Sequence, residues 1–516
     1  MEKKTHTLKD LLKNPALKRG KLFKSDYINS LTDLTQQQDT SEAGGYDSNE
    51  MLLETEKDFI NAAKRNDVKG MKLFGRGMNV NAINVHGRTA LHYAVAFKNV
   101  EAVDMLLRSR AKLDLPDKHG LTAIHLAAWF GSLEILMLLV QGGADQSIEN
   151  TYGNRPFALA AAHGCVSMLQ MLMDDPYNMA TMEENKDGDT PLHLAARNGQ
   201  QEALRLLLDN FNIRNEVNQA GQTALYLAAD NAHEDCVQTL LEASCDPNIL
   251  TLTKSSPLHP ICERGHFPIV KLLIEGGTQL NAQNQHLETP FHLAVKNCHI
   301  AVIHTLLEAG CDPNIQDHMG QTALHIVAEM GKVDVVEMIL KAGVDLGIKD
   351  RQGKTALGVA ARGNMVMFVD MIIKAERYFR WKRQLQTTST DALESLHSES
   401  PLTFKLDHSP DTKQVRGILW DLAYKHFKRN DWKKLAKVWE FTEDQVAAIE
   451  EQWTGPNSFQ EHGNRMFLIW LHGVIITGSC PVKSLYEGLL SAGHVKIADQ
   501  IRMERTSIDT RKCRVS

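Results

Sequence analysis

Several features are missing from this chain of 516 residues, and each absence closes a class of function. No apolar run is long enough for a bilayer: the longest, Phe467 to Gly478, carries His472 and falls well short of the ~20 residues that a membrane helix requires. Direct membrane insertion is therefore not expected. The stretch MEKKTHTLKDLLKNP mixes lysines and Asp10 into its leucines, so no secretory signal is expected either. The eight cysteines include no CxxC pair and no Cys/His spacing suited to zinc. They read as small apolar fillers kept reduced in the cytosol, with no metal site, and the expected location is cytoplasmic. With a net charge of −6 and no basic arm, nucleic acid is not an expected partner. A P-loop, a dinucleotide-binding GxGxxG, a kinase HRD or DFG, an HExxH and a caspase-like QAC are all missing. Neither an enzyme nor a cofactor is expected.

What is present is a period. Single hydrophobic cores stop growing near 250 to 300 residues, so a chain of this length requires several domains or a repeat array. A turn residue followed by a Thr-Pro/Ala-Leu-His-like quartet begins at Gly87, Gly120, Gly153, Gly188, Gly221, Lys254, Leu287, Gly320 and Gly353. Every step is 33 residues except that from Gly153 to Gly188, which is 35. Thr or Ser at the first quartet position suits a helix cap, and Pro or Ala at the second suits a helix start. Histidine fills the fourth position in six units (His92, His125, His193, His259, His292, His325), where repeat phase argues for bracing and not for catalysis. A second helix follows, with apolar residues such as Val103, Leu106 and Leu107 on one stripe. One such unit cannot bury its stripe alone, whereas stacked neighbours can. The third unit is irregular, with Arg155 for Thr, Ala158 for His, and extra length near Asp174, Asp175 and Pro176, where a helix should stop.

Nine quartets in phase resemble the ankyrin repeat. A degenerate unit with Phe59, Ala62, Ala63, Leu73 and Asn81 reads as the first cap, and a last unit running through Met371, Ile372 and Ile373 reads as the other, ending near Trp381. The array is thus expected over residues 54–381, after a largely flexible segment 1–53 whose only helical pattern is Leu8, Leu11 and Leu12. Residues 382–412 are rich in Ser and Thr, with Ser400-Pro401 and Ser409-Pro410, and read as a linker.

Beyond residue 412 the period ends and tryptophan becomes dense, with Trp420, Trp432, Trp439, Trp453 and Trp470. Helical spacing of Val415, Ile418, Leu419, Leu422 and Ala423, then of Trp432, Leu435, Ala436 and Trp439, predicts a compact helical core that includes Trp470. Thr442 and Gln445 form a capping box before Val446 and Ile449. Six short helices fit. The run Asp431 to Trp453, with Leu468 to Trp470 and Leu485 to Leu490, resembles the death domain, a six-helix bundle expected over 413–505 before a tail at 506–516. The combination is similar to the ankyrin repeat and death domain-containing proteins, without distinguishing the A from the B paralogue. The expected fold class is all-α, a solenoid followed by that bundle.

The resemblance implies a non-enzymatic signalling adaptor: a protein client on the concave face of the repeats, and another death domain on the bundle. The alternatives are an inhibitor that masks a transcription factor, or a substrate or sink of an asparaginyl hydroxylase. In the family the end of each inner helix points from the concave face. Here those ends carry Ala96-Phe97 and Trp129-Phe130, then Arg197-Asn198, Asp230-Asn231, Glu263-Arg264, Lys296-Asn297 and Glu329-Met330. Phe97, Trp129 and Phe130 are therefore the expected anchors of the client, with Phe97 and Phe130 one repeat apart on the same exposed track. The hydroxylation candidates are Asn81, Asn215, Asn248, Asn281 and Asn314, each eight residues after a leucine (Leu73, Leu207, Leu240, Leu273, Leu306). Asparagine in a hairpin turn also needs no further explanation than the turn.

Overall fold

The computed structural model describes residues 52–74, 78–174, 181–388, 402–407 and 409–506. The helix expected around Leu8, Leu11 and Leu12, the break at Asp175 and Pro176, the Ser400-Pro401 pair and the tail beyond residue 506 lie outside these. Among the described residues ten helix pairs come first. They open with α1 (Glu54–Lys64) and α2 (Val68–Leu73), α3 (Ala90–Ala96) and α4 (Val100–Arg108), then α5 (Ala123–Phe130) and α6 (Leu133–Gln141). Next are α7 (Pro156–Ala162) and α8 (Val166–Met173), α9 (Pro191–Arg197) and α10 (Gln201–Asn210), then α11 (Ala224–Asp230) and α12 (Glu234–Glu242). The series closes with α13 (Leu258–Arg264) and α14 (Phe267–Glu275), α15 (Pro290–Lys296) and α16 (Ile300–Glu308), α17 (Ala323–Met330) and α18 (Val333–Lys341), then α19 (Ala356–Arg362) and α20 (Val366–Thr388). By contacts the chain forms two compact units, one running to Gln279 and one from Leu280, with Cys262 to Gly265 counted in the second.

The quartets build the first helix of each pair as their residue types require. Proline opens α7, α9 and α15, where its missing N–H costs nothing. Thr89 accepts a bond from the His92 N–H, while its own N–H donates to His92 Nδ1 at 3.1 Å. With Nδ1 occupied as an acceptor, the proton sits on Nε2, which donates to the Leu121 carbonyl of the next repeat at 3.0 Å. The same brace joins His125 to Asn154 at 3.1 Å, His193 to Gln222 at 3.1 Å and His325 to Lys354 at 3.2 Å.

This arrangement requires neutral imidazole. Burial pulls His125 from its ordinary 6.5 down to about 4, and the acceptor carbonyls only partly offset it. An unfolded chain takes up that proton below pH 6.5, whereas the native chain takes it up only near pH 4. The brace therefore contributes fully above pH 6.5, and its contribution is lost as the pH falls toward 4. We expect Tm to fall across that window, and the fall to be shallower in His125→Asn. Parallel curves for the two proteins would remove the titration of His125 as a cause.

A second periodic device lies before each turn. Asp117 Oδ1 accepts from the backbone N–H groups of His119 at 2.8 Å and Leu121 at 3.0 Å, and Asn84, Asn150, Asn185 and Asn218 do the same in their units. The turn itself needs a left-handed residue. Gly120 has φ +72°, and a Cβ there would lie 2.8 Å from the Thr151 nitrogen. Lys254 and Leu287 hold φ +56° at the equivalent position without the benefit of glycine.

The final helix departs from the expected cap. Instead of ending near Trp381, α20 runs to Thr388. Phe368, Val369, Met371, Ile372, Ile373 and Ala375 are all buried, which one apolar stripe on a terminal helix cannot explain. The reason is a further layer of helices. After residue 409 come α21 (Pro410–Asp421), extended by a π-helical turn at Leu422–His426, α22 (Asp431–Val438) and α23 (Glu443–Glu451). Then follow α24 (Ser458–Ile476), α25 (Pro481–Ser491) and α26 (Val495–Thr506), making six helices after the repeats. Within the second unit α24 packs on α20, and α23 packs on α19.

Part of the expected linker is ordered here. Phe404 is fully buried, with its ring 5.9 Å from Tyr378, 6.2 Å from Phe379 and 5.8 Å from His472. Lys374 donates to the carbonyls of Phe404 and Lys405, and Thr403 donates to Glu337 at 2.6 Å. Residues 402–407 are thus a strap across the last repeats, not a free tether.

Candidate functional site

Two regions combine exposed apolar surface with polar groups. The first is the row of inner-helix ends. Phe97 and Trp129 are half-buried there, but Phe130 is only 7% exposed, which corrects the expected exposed track of Phe97 and Phe130. The cause is helix length: α5 continues through Phe130 and ends on left-handed Gly131, whereas α3 stops at Ala96 and Phe97 caps it. Phe130 packs inward as a helical residue, and Trp129 takes the outer place.

Trp129 lies against the His163 ring of the next unit, with centroids 4.0 Å apart. Burial lowers His163 to about 4, and its buried Nε2 has no hydrogen-bond partner among the described residues. Further along the same unit the ends become polar. Arg197 pairs with Asp189, and Asn198 is buried, donating to the Leu194 carbonyl at 3.0 Å. In the second unit Lys296 pairs with Glu288, while Glu329 and Arg362 are exposed.

The five candidate asparagines share one geometry. Each Oδ1 accepts a backbone N–H from the following loop: Lys112 to Asn81 at 2.8 Å, Asp246 to Asn215 at 2.9 Å, Gln279 to Asn248 at 2.7 Å, Asp312 to Asn281 at 2.9 Å and Asp345 to Asn314 at 2.8 Å. They hold loops of successive repeats together. Leu207, Leu240, Leu273 and Leu306 are buried as expected, but Leu73 is 85% exposed and Met71 fills the core of its helix instead.

The second region lies among the C-terminal helices. Trp432, Leu435 and Trp470 are buried, the first of these 1% exposed. Trp439 is not a core residue in the same sense: half-buried, it stacks on Trp470 with centroids 4.2 Å apart and planes at 15°. The pair borders a cleft of about 280 Å³ shared with Arg377, Trp381, Val438 and Ile476. Arg377 donates to the Trp439 carbonyl at 2.9 Å and lies 4.2 Å from the Phe441 ring centre. Burial brings its pKa down to about 10. These contacts hold α20 to the loop after α22 and leave a shallow aromatic opening between them.

Among the described residues no group of three or more His, Cys, Asp or Glu side chains is placed to hold a metal ion. No helix among them is long and apolar enough to cross a membrane. The chemistry on view is that of recognition: rings, carbonyls and charged groups at helix ends.

A family model described as ankyrin repeats in three copies matches residues 59–150, 109–183, 157–251, 243–317 and 309–379. Ankyrin repeats bind protein partners and are generally non-enzymatic interaction modules. The matched segments join into one stretch from residue 59 to residue 379, well over half of the 516, and it spans the helix pairs with their histidine braces and asparagine-linked loops, so the chain belongs to the ankyrin-repeat family.

Proposed function

We propose that this chain is a non-enzymatic adaptor, in which the repeats hold a protein client and the six C-terminal helices, similar to a death domain, hold a second protein. The observation that carries the first half is the pair of half-buried rings at successive inner-helix ends, Phe97 and Trp129, the second lying against the His163 ring. Half-buried rings fixed on helix ends lose little entropy on binding, and the His163 ring packed against Trp129 holds that indole in place. Arg197, at an inner-helix end of the same unit, suits the rim of such a surface, where a charge tunes rate and orientation.

Phe97→Ala and Trp129→Ala should each weaken client binding by about 1–3 kcal/mol with little change in melting. Phe130→Ala should do the reverse, costing about 3–5 kcal/mol of stability as a buried ring is lost. The test is capture of the client by full-length protein, with each variant's melting curve recorded first. Undiminished capture by a folded Phe97→Ala/Trp129→Ala protein would move the client elsewhere on the array.

A further inference from the structure

The C-terminal helices have one side committed to the repeats. Its contacts come from Trp439, Gln445 and Arg465, with His472 on the strap: Gln445 donates to Glu376 at 2.8 Å, Arg465 to Asp370 at 2.6 Å, and His472 lies 2.7 Å from the Thr403 carbonyl. A partner of these helices must therefore use a surface outside that contact.

Such a surface exists between Lys425 and Lys437. This stretch holds six cations, Lys425, Lys428, Arg429, Lys433, Lys434 and Lys437, against one acid, Asp431. Three of the cations have carboxylate partners: Lys425 with Asp421, Lys433 with Glu450 and Lys434 with Asp431. Asp431 is also engaged by the Lys428 backbone N–H at 2.9 Å. Among the described residues the side chains of Lys428, Arg429 and Lys437 have no such partner, and all three residues are exposed. Helical spacing places Lys434 and Lys437 on the face of α22 away from buried Trp432, Leu435 and Ala436. At the border Trp420 is 46% exposed, stacked on Tyr424 at 4.7 Å, with Lys425 Nζ 5.6 Å from its ring centre.

We propose that this face, formed by Lys428, Arg429, Lys434 and Lys437 with Trp420 beside it, docks an acidic segment of a partner protein that carries an apolar side chain among its carboxylates. The inference rests on the adaptor reading above and names the chemistry of its second partner. Carboxylates complement the three unpaired cations. The exposed indole supplies the apolar contact that a purely electrostatic patch lacks. The overall charge of −6 means that this positive field is local, so it orients a partner instead of attracting anions to the whole molecule.

The experiment uses the full-length protein and a fluorescent synthetic peptide of alternating glutamate and leucine. The comparison probes are phosphatidylserine-containing vesicles and oligouridylate. The peptide should bind wild type in a salt-sensitive manner. Affinity should fall roughly ten- to a hundredfold in Lys428→Glu/Arg429→Glu/Lys437→Glu, and by a smaller factor in the triple glutamine variant. Both variants are first checked for an unchanged melting curve, and the glutamine variant serves alone if charge reversal perturbs folding. Equal peptide binding by wild type and a folded triple variant would overturn the proposal. So would wild-type protein that prefers the vesicles or the oligonucleotide. The Phe97→Ala/Trp129→Ala protein should bind the peptide like wild type, which keeps failure here distinct from failure of the client surface.

Discussion

Trp432→Ala is expected to destabilise the C-terminal helices by about 3–5 kcal/mol, the range for removing a buried aromatic ring. The indole is 1% exposed, its ring lies 5.7 Å from that of His462, and its Cβ sits so close to Gly463 that a methyl group there would be 3.4 Å away. A void of that size at the meeting of α22 and α24 cannot be refilled from solvent-facing Lys433 or Lys434. The damage should not stop at α24, because α24 covers α20, whose apolar residues are buried on more than one side. Hydrogen exchange in the variant should therefore show lost protection in residues 410–506 and also in Val366–Thr388, while helices α3 to α6 keep theirs. Full protection of α20 in a variant whose later helices have opened would mean that the last repeat stands without them.

How much of this was legible in the sequence follows the range of the interactions. The quartets, their histidines and the prolines at helix starts are local and recur at fixed spacing, so their roles could be read residue by residue. The six C-terminal helices were likewise legible from apolar spacing and the Thr442 capping box. The fate of Phe130 was not, since repeat phase gave it the exposure of Phe97 and only the extra helical residue before Gly131 turns it inward. Phe404 was illegible for another reason: it lies in a Ser- and Thr-rich stretch, and its burial depends on Tyr378, Phe379 and His472, which are distant in sequence. The Asp or Asn three residues before the turn residue recurs in every unit but one, where Thr251 stands before Lys254, and is a clear signal in the sequence that the quartets alone do not carry. The cations from Lys425 to Lys437 carry no distinct signal in the sequence. Their meaning depends on which carboxylates come near, and a sequence does not show that.

The ion pair between α20 and α24 is the strongest case of long-range dependence, and it sets a second large effect. Arg465 donates to Asp370 at 2.6 Å through one terminal nitrogen and at 3.1 Å through Nε, while its other terminal nitrogen finds no partner. Burial pushes the Asp370 carboxyl above the usual carboxylate range, and Arg465 beside it acts in the opposite sense. Lys374 nearby is pulled down by the same burial. Removing either partner of a buried pair leaves an uncompensated group, so Arg465→Met should cost about 3–5 kcal/mol near neutral pH. A well-packed apolar replacement of both, Asp370→Leu/Arg465→Met, should come within about 1 kcal/mol of wild type or exceed it, because the desolvation cost of the charges disappears with them. Acidification supplies an independent sign. In Arg465→Met the carboxyl of Asp370 is buried without its partner, and its folded pKa rises further above the unfolded value. The penalty is therefore full above the folded pKa, shrinks as the pH falls from there toward the unfolded pKa, and is gone below it. Denaturant unfolding of the three proteins at neutral and mildly acidic pH decides the matter. A single-variant deficit that stays constant or grows on acidification would show that Arg465 contributes through its packing and not through the charge of Asp370.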